Sequence, residues 1–218
     1  MASSHIQATL SASPPAPRQS RRPTPDNEIV FSDYIGLIAN GSFAKLPVLL
    51  GNTDNENGYY QIPAFAQGVT PTDGQVKSFL LESFTCPVTY QAFARRDHGV
   101  PSYVYRYFTD WDNTRLYPTS DAYHGVDLHM IFGASADVSG LNTTVDQRQL
   151  TKLMQKAWAA FSSDPPSGLA QLGWLQFDPN GKTLIQLGLN NSPEANFTYP
   201  SDYDAQCASI TMRALSRA

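Results

Sequence analysis

An α/β fold, with a buried sheet covered by helices, is predicted by three stretches of the sequence. Residues 45–51, KLPVLLG, are a brief apolar run of mostly branched side chains closed by a glycine, which reads as a buried strand. Residues 102–108, SYVYRYF, are aromatic and β-branched along their length, and they follow a helical segment that stops at Gly99. Residues 145–162 place Val145, Leu150, Leu153, Met154, Ala157, Trp158 and Phe161 on one side of a helix. Helix, glycine and strand in that order suit a layered α/β arrangement.

The bounds agree with a globular body. At 218 residues the chain fits one domain or a large piece of a bigger one. Hydrophobic residues make up 41%, enough for a core, while charged residues reach only 16%, below the usual quarter. A net charge of −4 gives no basic field to neutralise phosphates, so nucleic acid is not an expected partner. No run approaches the roughly 18 apolar residues of a membrane span. Residues 1–25 are rich in Ser, Pro and Arg, have no acid before Asp26 and lack the apolar centre of a secretory signal. Such a tract buries too little surface to offset its ordering entropy and is expected to be disordered, with the folded domain over residues 26–218.

From residue 28 a short helix or helical turn is expected, ending at Gly41. The strand at 45–51 carries Pro47 at its beginning, where a missing N–H does least harm. Residues 52–58 form a polar loop at the strand's C-terminal end, where α/β proteins place their chemistry. Two helices follow, 74–84 with Val76, Phe79, Leu80 and Phe84 in register, and 86–97 with Pro87 near its start and Arg95 and Arg96 near its end. His98 is expected to be exposed at that helix end. After the strand at 102–108, a loop of Asp, Asn, Pro and Ser leads to His124. Thr144 and Gln147 form a capping box for the long helix. Last, 174–177 and 183–187 flank Asp178-Pro-Asn-Gly181, a type I turn, and are expected to pair as a terminal hairpin.

Two cysteines, Cys86 and Cys207, are either unrelated buried thiols or a disulfide. Four acceptor patterns for N-glycosylation, at Asn40, Asn142, Asn190 and Asn196, favour an oxidising, extracellular route and the disulfide, although Pro193 weakens the third.

Two loops carry groups with chemistry to offer. LLGNTDNENGYY at 49–60 holds Glu56, and YHGVDLHMIFG at 123–133 holds His124. A general-base imidazole needs a loop position and a carboxylate that fixes its tautomer, and Glu56 is the natural candidate. An acid that precedes the histidine matches the later members of a relay whose serine comes first in the chain. The bland alternative is a solvated acid and a structural histidine. No G-x-S-x-G elbow is present: the nearest match, Gly133-Ala-Ser135-Ala-Asp137, lacks the final glycine and follows the histidine. Neither is there a Gly-Gly run for an oxyanion hole. His124, Asp127 and His129 match no metal-ligand spacing, so no metal and no cofactor is expected.

LPVLLGNTDNENGYY resembles the segment of the type B carboxylesterases, the cholinesterase-like α/β-hydrolases, that carries the triad glutamate. AYHGVDLHMIFG resembles the segment with the triad histidine. FTCPVTYQAFARRDHGVPSYVYRYF, LMQKAWAAFSSDP and GWLQFDPNGKTLIQLG resemble, in the same order, a Cys-containing helix with its strand, a late helix and a terminal segment of that family. The likeness runs from about Asp26 to about Cys207 and is strongest to fungal secreted esterases and lipase-like members. It implies a partial α/β-hydrolase fold, the C-terminal part, with few strands, flanking helices and a small hairpin. It also implies Glu56 as triad acid, His124 as general base, Cys86 as a half-cystine with Cys207 its partner, and a small-molecule or lipid ester as substrate. Asn57 stands where a small residue is usual and His129 where proline is frequent. The family's elbow and oxyanion hole lie in a part not found in these residues. The reading is therefore a C-terminal fragment of an ester hydrolase, inactive alone and needing the missing N-terminal part as partner. A non-catalytic cholinesterase-like binding or adhesion protein is the alternative. With much of the sheet missing, the strands at 46–50 and 102–108 are expected to present unpaired edges.

Overall fold

The computed structural model describes residues 24–210 and divides into two units, one ending at Tyr34 and the other beginning at Ile35. The expected disorder of residues 1–25 falls almost wholly outside the described residues. In the first unit the Asp26 carboxylate accepts the N–H groups of Glu28, Ile29 and Val30, which hold its carboxyl down at about 2.

In chain order the elements are α1 (Tyr34–Ala39), β1 (Val48–Thr53), α2 (Asn57–Tyr60), α3 (Ile62–Phe65), α4 (Asp73–Leu80), a π-helical turn (Leu81–Thr85), α5 (Cys86–Asp97), β2 (Ser102–Tyr107), α6 (Val126–Ile131), α7 (Ser135–Ser139), α8 (Val145–Ser163), α9 (Gly168–Gln171), β3 (Leu184–Leu187), β4 (Ala195–Thr198) and α10 (Ser201–Asp204). The sheet order is β1-β2-β3-β4. The first three strands are parallel and β4 returns antiparallel to β3.

β2 is the centre, with all six residues buried. Its side chains alternate between two cores, as strand geometry requires. Tyr103, Tyr105 and Tyr107 join Met130 of α6, Leu150, Met154 and Ala157 of α8, and Ile185 and Leu187 of β3 on one face. Val104 meets Ala92 of α5, Phe177 and Leu184 on the other. The result is a three-layer α/β/α unit. Arg106 breaks the apolar run of β2, and its guanidinium is buried behind the second face. It pairs with Asp54 at 2.8 Å and lies 4.6 Å from the ring centre of Tyr203.

Several expectations are corrected. β2 has no free edge, because β1 and β3 flank it; β1 alone of the two expected edge strands has one, and its residues Val48–Gly51 are half-buried rather than buried. The two helices over 74–97 are one continuous rod, in which the π turn lies just before Pro87. A proline cannot donate to the carbonyl four residues back, and widening the preceding turn relieves the clash. The turn at Asp178 forms, with Gly181 N–H donating to its carbonyl at 3.1 Å. Residues 174–177 do not pair with β3: its two edges are taken by β2 and β4, so the terminal hairpin is β3–β4. Thr144 caps α8 by accepting the Gln147 N–H, but the Gln147 side chain is fully buried and does not reach back, leaving half a capping box. Val145 is exposed, whereas Leu150, Met154 and Ala157 form the buried stripe.

Cys86 and Cys207 are joined in a disulfide across a separation of 121 residues. It is fully buried beside Leu81, and Tyr90 donates its hydroxyl to the Cys207 carbonyl at 2.6 Å. The tail is thereby tied to α5, a link further supported by Thr89 donating to Asp204 at 3.0 Å. Closing so long a loop restricts the unfolded chain, and replacing both cysteines with alanine is expected to cost about 2–5 kcal/mol, read from urea unfolding of the two proteins side by side.

Candidate active site

Parallel pairing of β1 with β2 brings two loops together at the C-terminal end of the sheet. Thr53, the last residue of β1, faces Tyr107, the last of β2. Beyond them the contact continues as an isolated bridge between Asn55 and Tyr123, with Asn55 N–H donating to the Ala122 carbonyl at 3.1 Å. The Asn55 amide donates to the Ser120 carbonyl at 3.0 Å, and Tyr117 donates its hydroxyl to the Gly58 carbonyl at 2.6 Å. Gly58 is required by this closeness. A Cβ there would stand 2.4 Å from the Ser120 carbonyl oxygen.

The two ionisable residues meet where the loops meet. Glu56 is 3% exposed and its Oε2 lies 2.6 Å from His124 Nδ1. Its other oxygen accepts the Thr53 N–H at 2.7 Å, so both carboxylate oxygens are fixed. Burial raises the Glu56 carboxyl above its ordinary value, while the Thr53 N–H and His124 act in the opposite direction. With Nδ1 donating to the carboxylate, Nε2 is left on the far side of a ring whose side chain is 43% exposed. An imidazole so held can accept a proton at Nε2 while the buried carboxylate stabilises the resulting cation.

Three aromatic rings stand around the imidazole. Tyr60 is 5.1 Å, Phe84 5.4 Å and Tyr59 6.4 Å away between ring centres. Tyr59 and Tyr60 sit on α2, directly after the acid, and Phe84 is carried by the π turn. None of the three is among the site residues expected from the sequence. The Tyr-Tyr doublet three residues beyond Glu56 was the signal available for two of them.

Ser135 is unsuited to the role its partial motif suggested: it is buried at the start of α7 and its hydroxyl donates to Met130 Sδ. The structure also separates His124, Asp127 and His129. Asp127 turns to Tyr105, His129 Nδ1 is buried without a partner, and among the described residues no group of three His, Cys, Asp or Glu is arranged to hold a metal. His98 is exposed at the end of α5. Asn40, Asn142 and Asn196 are all exposed.

A model of the carboxylesterase family matches residues 69–206, well over half of the chain. The chain belongs to this family. A secreted lipase of Gibberella zeae is 30% identical over 79% of this chain and 34% of its own length. A chlorogenic acid esterase of Aspergillus niger is 27% identical over 77% of this chain and 32% of its own. The chain thus spans about a third of the length of the curated relatives it matches. Among solved structures, a PNB esterase superposes with a TM-score of 0.59 at 20% identity, covering 80% of this chain and 40% of the other. That likeness establishes that the chain has the α/β-hydrolase fold.

Two outcomes follow. Gly58→Ala is expected to lower stability by about 1–3 kcal/mol by forcing the loops apart, measured by thermal unfolding. Because the folded Glu56 binds its proton more tightly than the unfolded one, its contribution to stability falls as pH rises from about 4.3 through the raised value. Stability of Glu56→Gln minus that of the unaltered chain is therefore expected to increase with pH over that window in parallel urea titrations.

Proposed function

We propose that these 218 residues carry the acid and the general base of a carboxylic-ester hydrolase, Glu56 and His124, and act as the C-terminal part, residues 26–218, of a catalytic unit. The observation that carries this reading is the 2.6 Å bond between a buried Glu56 and a half-exposed His124 at the C-terminal end of the parallel strands β1 and β2. A binding-only protein has no use for a carboxylate desolvated in order to orient an imidazole.

In this reading His124 Nε2 takes the proton of a serine hydroxyl, whose oxygen attacks the ester carbonyl. The proton then passes to the departing alcohol, and a water molecule, deprotonated in the same way, releases the acid and restores the serine. Glu56 keeps Nδ1 as the donor throughout. Because the 218 residues hold no G-x-S-x-G, the serine and the oxyanion hole belong to polypeptide outside them. Tyr59, Tyr60 and Phe84 give the imidazole an apolar, flat-walled side that fits an ester with an aromatic or alkyl group next to the scissile bond. The relatives named as a lipase and as a chlorogenic acid esterase are consistent with such a range. A buried disulfide, exposed acceptor asparagines and a relative named as secreted support an extracellular route with glycans at Asn40, Asn142 and Asn196.

A fluorophosphonate probe and a p-nitrophenyl ester test the assignment. The chain alone is expected to show no stoichiometric serine labelling and no turnover above buffer; one equivalent of label on a serine would overturn it. Completed with the unmatched part of the Gibberella zeae lipase, the chain is expected to hydrolyse the ester, with His124→Gln lowering kcat by about 10⁴-fold or more.

A further inference from the structure

We propose that the groove between α8 and the segment after α9 binds a free alkyl carboxylate, one anionic head group on a single hydrocarbon chain. The groove has a volume of about 340 Å³ and is lined by Lys152, Leu153, Lys156, Ala157, Leu172 and Trp174. None of these residues is among those around His124, whose neighbouring rings come from α2 and the π turn.

The groove follows from how closely the chain doubles back on α8. Gly168 starts α9 against the last turns of α8, so close that a Cβ there would stand 2.2 Å from the Ala160 carbonyl oxygen. Gly173, at φ +80°, then turns the chain, and Trp174 donates its N–H to the Leu169 carbonyl at 3.0 Å. The Trp174 ring is buried edge-on to Trp158 of α8, with 6.3 Å between ring centres. Both walls are fixed before any ligand arrives, which lowers the entropic cost of binding.

The two walls differ in charge. Lys152 and Lys156 stand one turn apart on α8, both are exposed, and neither makes a hydrogen bond or ion pair among the described residues. Like charges at that spacing repel, and α8 has no acid three or four residues from either lysine. Across the groove, residues 165–177 contain no ionisable side chain. Two uncompensated cations beside an apolar floor, in a chain of net charge −4, match a carboxylate joined to an alkyl chain. The head group meets the ammonium groups, and the hydrocarbon lies against Leu153, Leu172 and Trp174. A bilayer fits less well, because it takes up apolar side chains that project. Here Ala157 and Trp174 are buried and Leu153 and Leu172 half-buried, while the lysines stand out.

The test is calorimetry with monomeric decanoate at pH 7, where its carboxylate is ionised, on the chain and on the chain completed with the unmatched part of the Gibberella zeae lipase. One equivalent is expected to bind, with backbone amide shifts of the ¹⁵N-labelled chain gathered at 152–157 and 172–174. Lys152→Gln with Lys156→Gln is expected to weaken decanoate by about fivefold or more and to leave decanol, the same chain without charge, within about twofold. Lys77→Gln with Lys182→Gln, two exposed lysines outside the groove, is expected to change neither. Equal binding of decanoate by the Lys152 and Lys156 double variant overturns the assignment. So do shifts gathered around His124, which would make the acid a ligand of the candidate active site. Lysine-dependent sedimentation with phosphatidylcholine–phosphatidylglycerol vesicles, without decanoate binding, would make the surface a membrane contact instead. If decanoate binds the chain alone and not the completed form, the groove is covered by polypeptide and no carboxylate occupies it.

Discussion

The register between β1 and β2 is the constraint on which the rest of the structure depends. Side chains along a strand alternate between faces, so a slip of one residue would turn Tyr105 away from Gly51 and carry Asn55 out of reach of the Ala122 carbonyl. Glu56 would then lose its approach to His124. Gly51 is the residue that secures the register sterically, since only a position without a Cβ accepts the phenol ring of the facing residue. What looks in the sequence like a strand terminator is an interior strand position that makes room for a neighbour.

Around that pairing the two faces of the sheet divide the labour. One face, under α6 and α8, is closed almost entirely by apolar and aromatic side chains and supports the His124 loop from beneath. The opposite face, under α5, keeps polar groups in place: Arg106 is neutralised by Asp54 and covered by the Tyr203 ring, and Gln186 donates to the Tyr203 hydroxyl at 2.9 Å. A cation at the centre of a sheet survives because its ion pair, its ring contact and the C-terminal segment carrying Tyr203 all come together.

Much of this was legible in the sequence, and the failures have physical causes. The strands around Leu49 and Val104 and the helix around Met154 declared themselves by composition and period, because burial on one side or both leaves a mark on every second or every third to fourth residue. Glu56 and His124 were visible as an acid and a base in polar loops after apolar strands. The pairing of 174–177 with 183–187 was misjudged because an apolar run beside a turn says nothing about whether a strand edge is free. Trp174 and Phe177 are buried by packing instead. Arg106 was hidden inside an aromatic run, and the ring wall of Tyr59, Tyr60 and Phe84 is assembled from two segments about 24 positions apart, a closeness that no local pattern encodes.

The link between α5 and the tail also sets an order of events in time. Cys86 leaves the ribosome 121 residues ahead of Cys207. At synthesis rates of about 5–20 residues per second, it waits roughly 6–24 s for its partner. Among these 218 residues the waiting thiol has no other cysteine to pair with. Within these residues, fidelity of this bond is therefore a matter of how crowded and how oxidising the surroundings are while the stretch between the two cysteines is being made.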